Sequence, residues 1–170
     1  MAYPLAYLLT WTSYATWLPG DARGAVDDGQ TVFGEERVSP NSQRVAFLEA
    51  KSGPRVEISS QMRWVIDGAI RRLVDARGWT LFALNIRTTH VHAVVAAEVR
   101  AEIVLVALKA AATRSLRAAT LVAAESRVWT KHGSTRYLWD DDQMTRAVDY
   151  VVNRQGAPLE ATPVFGQTEP

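Results

Sequence analysis

Two of the three histidines in this 170-residue chain stand two residues apart, at His90 and His92 in "NIRTTHVHAVV". The apolar and β-branched residues around them predict a strand, and on a strand residues i and i+2 share a face. The two imidazoles therefore project side by side, while Val91 and Ala93 point the other way. Two neutral imidazoles fixed on one rigid face make a two-point platform for a divalent metal. The plain alternative is a polar patch on the surface of a sheet, and the scarcity of histidine elsewhere weighs toward the metal. Catalytic metal sites usually take a third protein ligand, which an Asp, Glu, Asn or Gln on another element could supply.

A second group with chemistry lies in "AVDYVVNRQG". The spacing predicts a helix over Asp140–Arg154, with Met144, Ala147, Val148 and Val151 as its apolar stripe. Tyr150 falls about 100° from the centre of that stripe, so its ring lies against the core and its hydroxyl points out. Its neighbours on the same face are Gln143, Arg146 and Arg154. Two arginines flanking a phenol could hold a phosphate against it. The alternative is a boundary tyrosine with two snorkelling arginines. The third histidine, His132 in "TKHGSTR", reads as a turn residue near the surface, or more sharply as a phosphate contact beside Lys131 and Arg136.

These residues need elements to position them. Leu5–Trp17, rich in aromatic and β-branched residues, predicts a strand, broken by "LPGDARG". About residues 20–58 read as a long irregular insertion, long enough that part of it should have local structure or a function. "SSQMRWVIDGAIRRLVDARG" predicts a helix capped by Ser59 or Ser60 and ended by Gly78, with Met62, Val65, Ile66, Ala69, Ile70, Leu73 and Val74 as its core stripe. "WTLFALNIRT" and "HVHAVVAA" predict a hairpin turning near Thr88 and Thr89. Residues 99–124 predict a second helix, and "RVWTKHGSTRYLW" a strand or short hairpin around Gly133 and Ser134. Asp140 with Gln143 forms a capping-box pattern for the late helix, and its acids suit the helix N-terminus. The tail after 159 reads as irregular.

This order predicts one α+β domain over 1–170 with a ferredoxin-like, split β-α-β antiparallel sheet, helices on one face and an extra C-terminal helix carrying the tyrosine. The third strand, with His90 and His92, is then central. Composition adds bounds. The net charge of +1 by itself points to neither nucleic acid nor membrane, although Val99–Arg136 holds seven basic residues against two acids. That excess is either a solvated helix face or a polyanion-binding surface. With no cysteine, disulfides and thiolate metal sites are excluded. No stretch reaches the roughly 18 apolar residues of a membrane span, and the start lacks a signal-peptide pattern, so the expected location is cytoplasmic.

"THVH" on a central strand, then a basic helix, then "AVDYVVNRQG" on a late helix resembles the single-tyrosine HUH transposases (His, hydrophobic, His), in particular the REP-associated tyrosine transposases. The resemblance covers roughly residues 5 to 156, and "TWLPGDARG" and "GSTRYLW" are similar to segments of the same branch. It implies that His90 and His92 bind Mg²⁺ or Mn²⁺ and that the metal polarises the scissile phosphate of single-stranded or hairpin DNA. It implies that Tyr150 attacks the phosphorus to form a 5′-phosphotyrosine. The family often carries Gln or Asn four residues after the tyrosine as a third ligand, where this chain has Arg154. Gln155 and Asn153 are the replacements at hand. In a regular helix Asn153 stays within about 60° of Tyr150, and Gln155 lies about 140° away unless the helix ends first. The family's Asn-Pro after the helix is also absent.

Arg114, Arg117, Lys131, Arg136, Arg146 and Arg154 are the candidate DNA contacts. Trp11, Trp17, Trp129 and Trp139 include candidates for stacking on unpaired bases, one or two at most. The family contains monomers and homodimers, and in some dimers the tyrosine helix of one chain serves the histidines of the other. Two rival functions remain: a non-catalytic nucleic-acid-binding module on the same fold, and a metallohydrolase that uses water in place of tyrosine.

Overall fold

The computed structural model describes residues 3–16, 41–51, 54–156 and 159. Trp17, with the whole stretch from 17 to 40, and the tail after 159 lie outside the described residues. The elements run β1 (Ala6–Thr12), α1 (Ser42–Lys51), α2 (Ser60–Arg77), β2 (Thr80–Ile86), β3 (His90–Ala96), α3 (Ala101–Ala118), β4 (Ser134–Leu138) and α4 (Asp141–Asn153). The strands form one sheet in the order β2-β3-β1-β4, with every neighbouring pair antiparallel. That is the ferredoxin-like arrangement, and it places β3 inside the sheet.

The side-chain alternation of the strands divides the sheet into two faces with different covers. Tyr7, Leu9 and Trp11 of β1 and Val91, Ala93 and Val95 of β3 pack with Met62, Ile66 and Ile70 of α2 and Val104, Leu108 and Leu116 of α3. The opposite face is smaller and is covered by α4, whose Ala147 and Val151 pack on Ala6, Val94, Ala83 and Leu138. The sequence led us to expect the helices on one face with an extra C-terminal helix, and α4 supplies the second cover.

Local signals set most boundaries. Ser59 Oγ accepts from Met62 N at 3.2 Å to open α2, and Gly78, at φ 64°, closes it. Asp140 Oδ1 accepts from Gln143 N at 2.8 Å, and Gln143 Oε1 accepts from Trp139 N at 3.0 Å, so the start of α4 is capped from both sides. The structure departs from the sequence reading at three places. The strand read over Leu5–Trp17 spans Ala6–Thr12. The helix predicted to 124 stops at Ala118, because Leu121 N turns back to Leu116 O at 3.0 Å with Thr120 at φ 58°. This is a Schellman-type ending built without glycine. Within the stretch read as irregular, Asn41 caps α1 by accepting from Arg44 N at 2.9 Å.

Candidate active site

The strand periodicity puts His90 and His92 on the face that α4 only partly covers. Register fixes their surroundings. Across the sheet, Asn85 stands opposite His92, Thr10 on its other side, and Ser134 beyond Thr10; Thr12 stands opposite His90. The two imidazoles meet edge to face with ring centroids 4.8 Å apart. Each is oriented by a threonine hydroxyl at Nδ1: Thr10 Oγ1 at 2.8 Å for His92 and Thr89 Oγ1 at 3.1 Å for His90.

Tyr150 comes to this face on α4. The last turn of that helix is pinned to the sheet by Asn85 Nδ2, which donates to Val151 O at 2.8 Å and so satisfies one of the carbonyls a helix end leaves unpaired. The Tyr150 ring then sits edge-on to His92 with centroids 5.6 Å apart, and 41% of the residue stays exposed. His90, His92 and Tyr150 therefore share one face of a single chain.

The helix ends early, and the two amides turn to different partners there. Asn153 is the last residue of α4, Arg154 caps it, and Gly156 takes φ 82°. Asn153 Nδ2 donates to Asp149 Oδ1 at 2.9 Å, and Arg154 Nε pairs with Asp149 Oδ2 at 2.7 Å, so both turn to the same carboxylate. Those hydrogen bonds, from Asn153 first and then Arg154, hold Asp149 below the usual carboxylate range. Gln155 folds back instead. Its Nε2 donates to Tyr150 O at 3.0 Å, and its side chain hydrogen-bonds the His92 imidazole.

Burial pushes the His92 pKa down to about 4, helped by the neighbouring His90 and by Arg87 and opposed by the Gln155 hydrogen bond. At neutral pH the ring is uncharged, the state a metal ligand requires. The donor set fits a metal. Both imidazoles have Nδ1 on a hydroxyl, so a metal would be taken at Nε2, and the Gln155 oxygen, now on the His92 ring, would turn to the same ion. Among the described residues there is no group of three or more His, Cys, Asp or Glu placed to hold an ion, so an amide oxygen is the third donor at hand.

The remaining candidates are dispersed. Arg136 stands opposite Leu8 on the histidine face and is exposed, as are Lys131 and His132 in the preceding loop. Lys109 fixes that loop, with Nζ donating to the carbonyls of Thr130, Lys131 and His132 at 2.6, 3.3 and 3.2 Å. Gly133 follows so close to β1 that a Cβ there would lie 2.6 Å from Thr10 O. Arg146 is exposed one turn before Tyr150. Arg114 and Arg117 are not brought to the site. Both lie on α3, across the sheet, where Arg114 lines a shallow groove with Arg77 and Arg100 and Arg117 donates to Ser126 O at 3.3 Å. Trp11 and Trp129 are buried against each other, while Trp139 is 55% exposed and stacks on Tyr137. The sequence reading missed Thr10, Asn85 and Arg87. Their signal is cross-strand register, which appears only once the strands are paired.

Fold and site together define a ferredoxin-like α+β protein with two histidines, a tyrosine and an amide gathered on its open sheet face. Among solved structures, the chain is similar to a REP-associated tyrosine transposase bound to a REP hairpin, at 10% identity and TM-score 0.47 over 88% of this chain. The chain spans 66% of the length of that protein. It is also similar to a candidate transposase from Deinococcus radiodurans R1, at 17% identity and TM-score 0.44, over 92% of this chain and 95% of the other. No protein-family model and no curated protein matches the chain.

Proposed function

We propose that this protein is a metal-dependent single-strand DNA endonuclease and strand transferase of the tyrosine transposase kind. The observation that carries the reading is the placement of Tyr150 edge-on to His92, beside His90, on one face of one chain. His90, His92 and Gln155 would hold Mg²⁺ or Mn²⁺, which supplies Lewis-acid polarisation of the scissile phosphate when bound. Tyr150 Oη forms a bond to phosphorus, the bond from phosphorus to the 3′ oxygen breaks, and the phenol proton passes by way of solvent to that oxygen. The products are a 5′-phosphotyrosine and a free 3′-hydroxyl. The phosphodiester energy stays in the covalent link, so another 3′-hydroxyl can reverse the step and join a different strand.

Thr10 and Thr89 hold the imidazoles in place, and Asn85 holds the tyrosine helix on the sheet. Arg136, Lys131 and Arg146 are the proposed backbone contacts nearest this face. The test uses hairpin-bearing single-stranded DNA with Mn²⁺. We expect a covalent protein–DNA adduct on a denaturing gel, and expect Tyr150→Phe to abolish it. No adduct with the wild-type protein, or an undiminished one with Tyr150→Phe, overturns the reading. Salt-sensitive, metal-independent binding without an adduct would point instead to a binding module.

A further inference from the structure

Arg87 lies in the turn between β2 and β3, and no role for it was legible from the sequence. Its backbone N donates to His90 O at 2.8 Å, continuing the ladder in which Ile86 faces Val91 and Asn85 faces His92. Arg87 is therefore the cross-strand partner of His90, and its side chain leaves the sheet on the histidine face, within the 5–6 Å reach of such pairs. The side chain is half-buried and crosses to the end of the tyrosine helix. Its Nη2 stands 3.5 Å from where a Cβ on Gly156 would lie, next to Gln155. Its charge also reaches His92, whose protonation it opposes.

Arg87 is thus a fixed cation at the point where His90, Gln155 and the C-terminal turn of α4 converge. A phosphodiester placed between Tyr150 and the histidines is an anion, and it gains further negative charge as the tyrosine attacks. A guanidinium presents a planar fork of donors that matches two phosphate oxygens. Resting on the tyrosine reading above, we propose that Arg87 binds a non-bridging oxygen of the scissile phosphate and stabilises the charge that builds on it during Tyr150 attack. It is a catalytic residue additional to the histidines and the tyrosine.

A purely structural Arg87, bracing the turn at Gly156, makes a different prediction, and substrate chemistry separates the two. A methylphosphonate at the scissile position replaces one anionic oxygen by a methyl group and leaves that position uncharged. Rates of adduct formation would be measured for full-length wild type and Arg87→Ala on the phosphodiester and on each methylphosphonate stereoisomer, with Mn²⁺ present. We expect Arg87→Ala to lose about 10²- to 10³-fold on the phosphodiester, the range for removing one preorganised donor. We expect most of that deficit to vanish on at least one methylphosphonate, and Arg87→Lys to recover part of the rate on the phosphodiester. Arg87→Gln serves if the alanine variant does not fold. An equal loss on both substrates, or no loss on the phosphodiester, overturns the assignment while leaving the tyrosine mechanism standing. Absence of any adduct with wild-type protein on the phosphodiester overturns both.

Discussion

Burial holds the His92 imidazole at a pKa of about 4, against an ordinary value of 6.5. Between those values the unfolded chain takes up a proton that the folded chain refuses. Stability therefore falls as pH drops from about 6.5 to about 4, and the loss levels off below that. The full effect is roughly 3 kcal/mol at the acid limit. Chemical denaturation in chelator at a series of pH values should show this slope in the wild type, and His92→Leu should flatten it in that window. An unchanged slope would mean that His92 titrates normally in the fold. The same residue scale explains Gln155. Asp149 draws Asn153 and Arg154 to one side, and the residue after them turns back to His92 and the Tyr150 carbonyl.

At the scale of elements, the sequence was legible where structure is local. Ser59, Gly78 and the pair Asp140 and Gln143 cap the helices they were expected to cap, and the i, i+2 rule put His90 and His92 on one face. It was less legible where a boundary or a register decides. Where Asn153 and Gln155 point depended on the exit residue of α4, and the placement of Asn85 and Arg87 depended on pairing across the hairpin. The end of α3 carried no glycine or proline to announce it, since Thr120 takes the left-handed turn at φ 58°. A β-branched residue there is strained. Thr120→Gly should stabilise the protein by about 1 kcal/mol and raise the melting temperature by about 2–4 °C. Calorimetry would show no rise, or a fall, if the threonine side chain were instead supporting the turn.

For the whole molecule, the division of the sheet into two faces determines who completes the site. The large core lies between the sheet and α2 and α3, which leaves the histidine face to α4. Only Trp139 and Asp140 separate the end of β4 from α4, so the start of the helix is held to the sheet by its own strand. Its far end is held by Asn85, and Ala147 and Val151 are buried between the two points. Exchanging α4 between chains would require the two-residue connection after β4 to span to a partner while every one of these contacts was rebuilt there. We therefore expect the site to be assembled within one chain. Mixing Tyr150→Phe with His90→Ala protein, under conditions that allow subunits to exchange, should give no more adduct than either variant alone. Recovery of adduct in the mixture, attached to the chain that retains Tyr150, would show that the tyrosine helix serves a partner's histidines and that the docking of α4 by Asn85 is not the working arrangement.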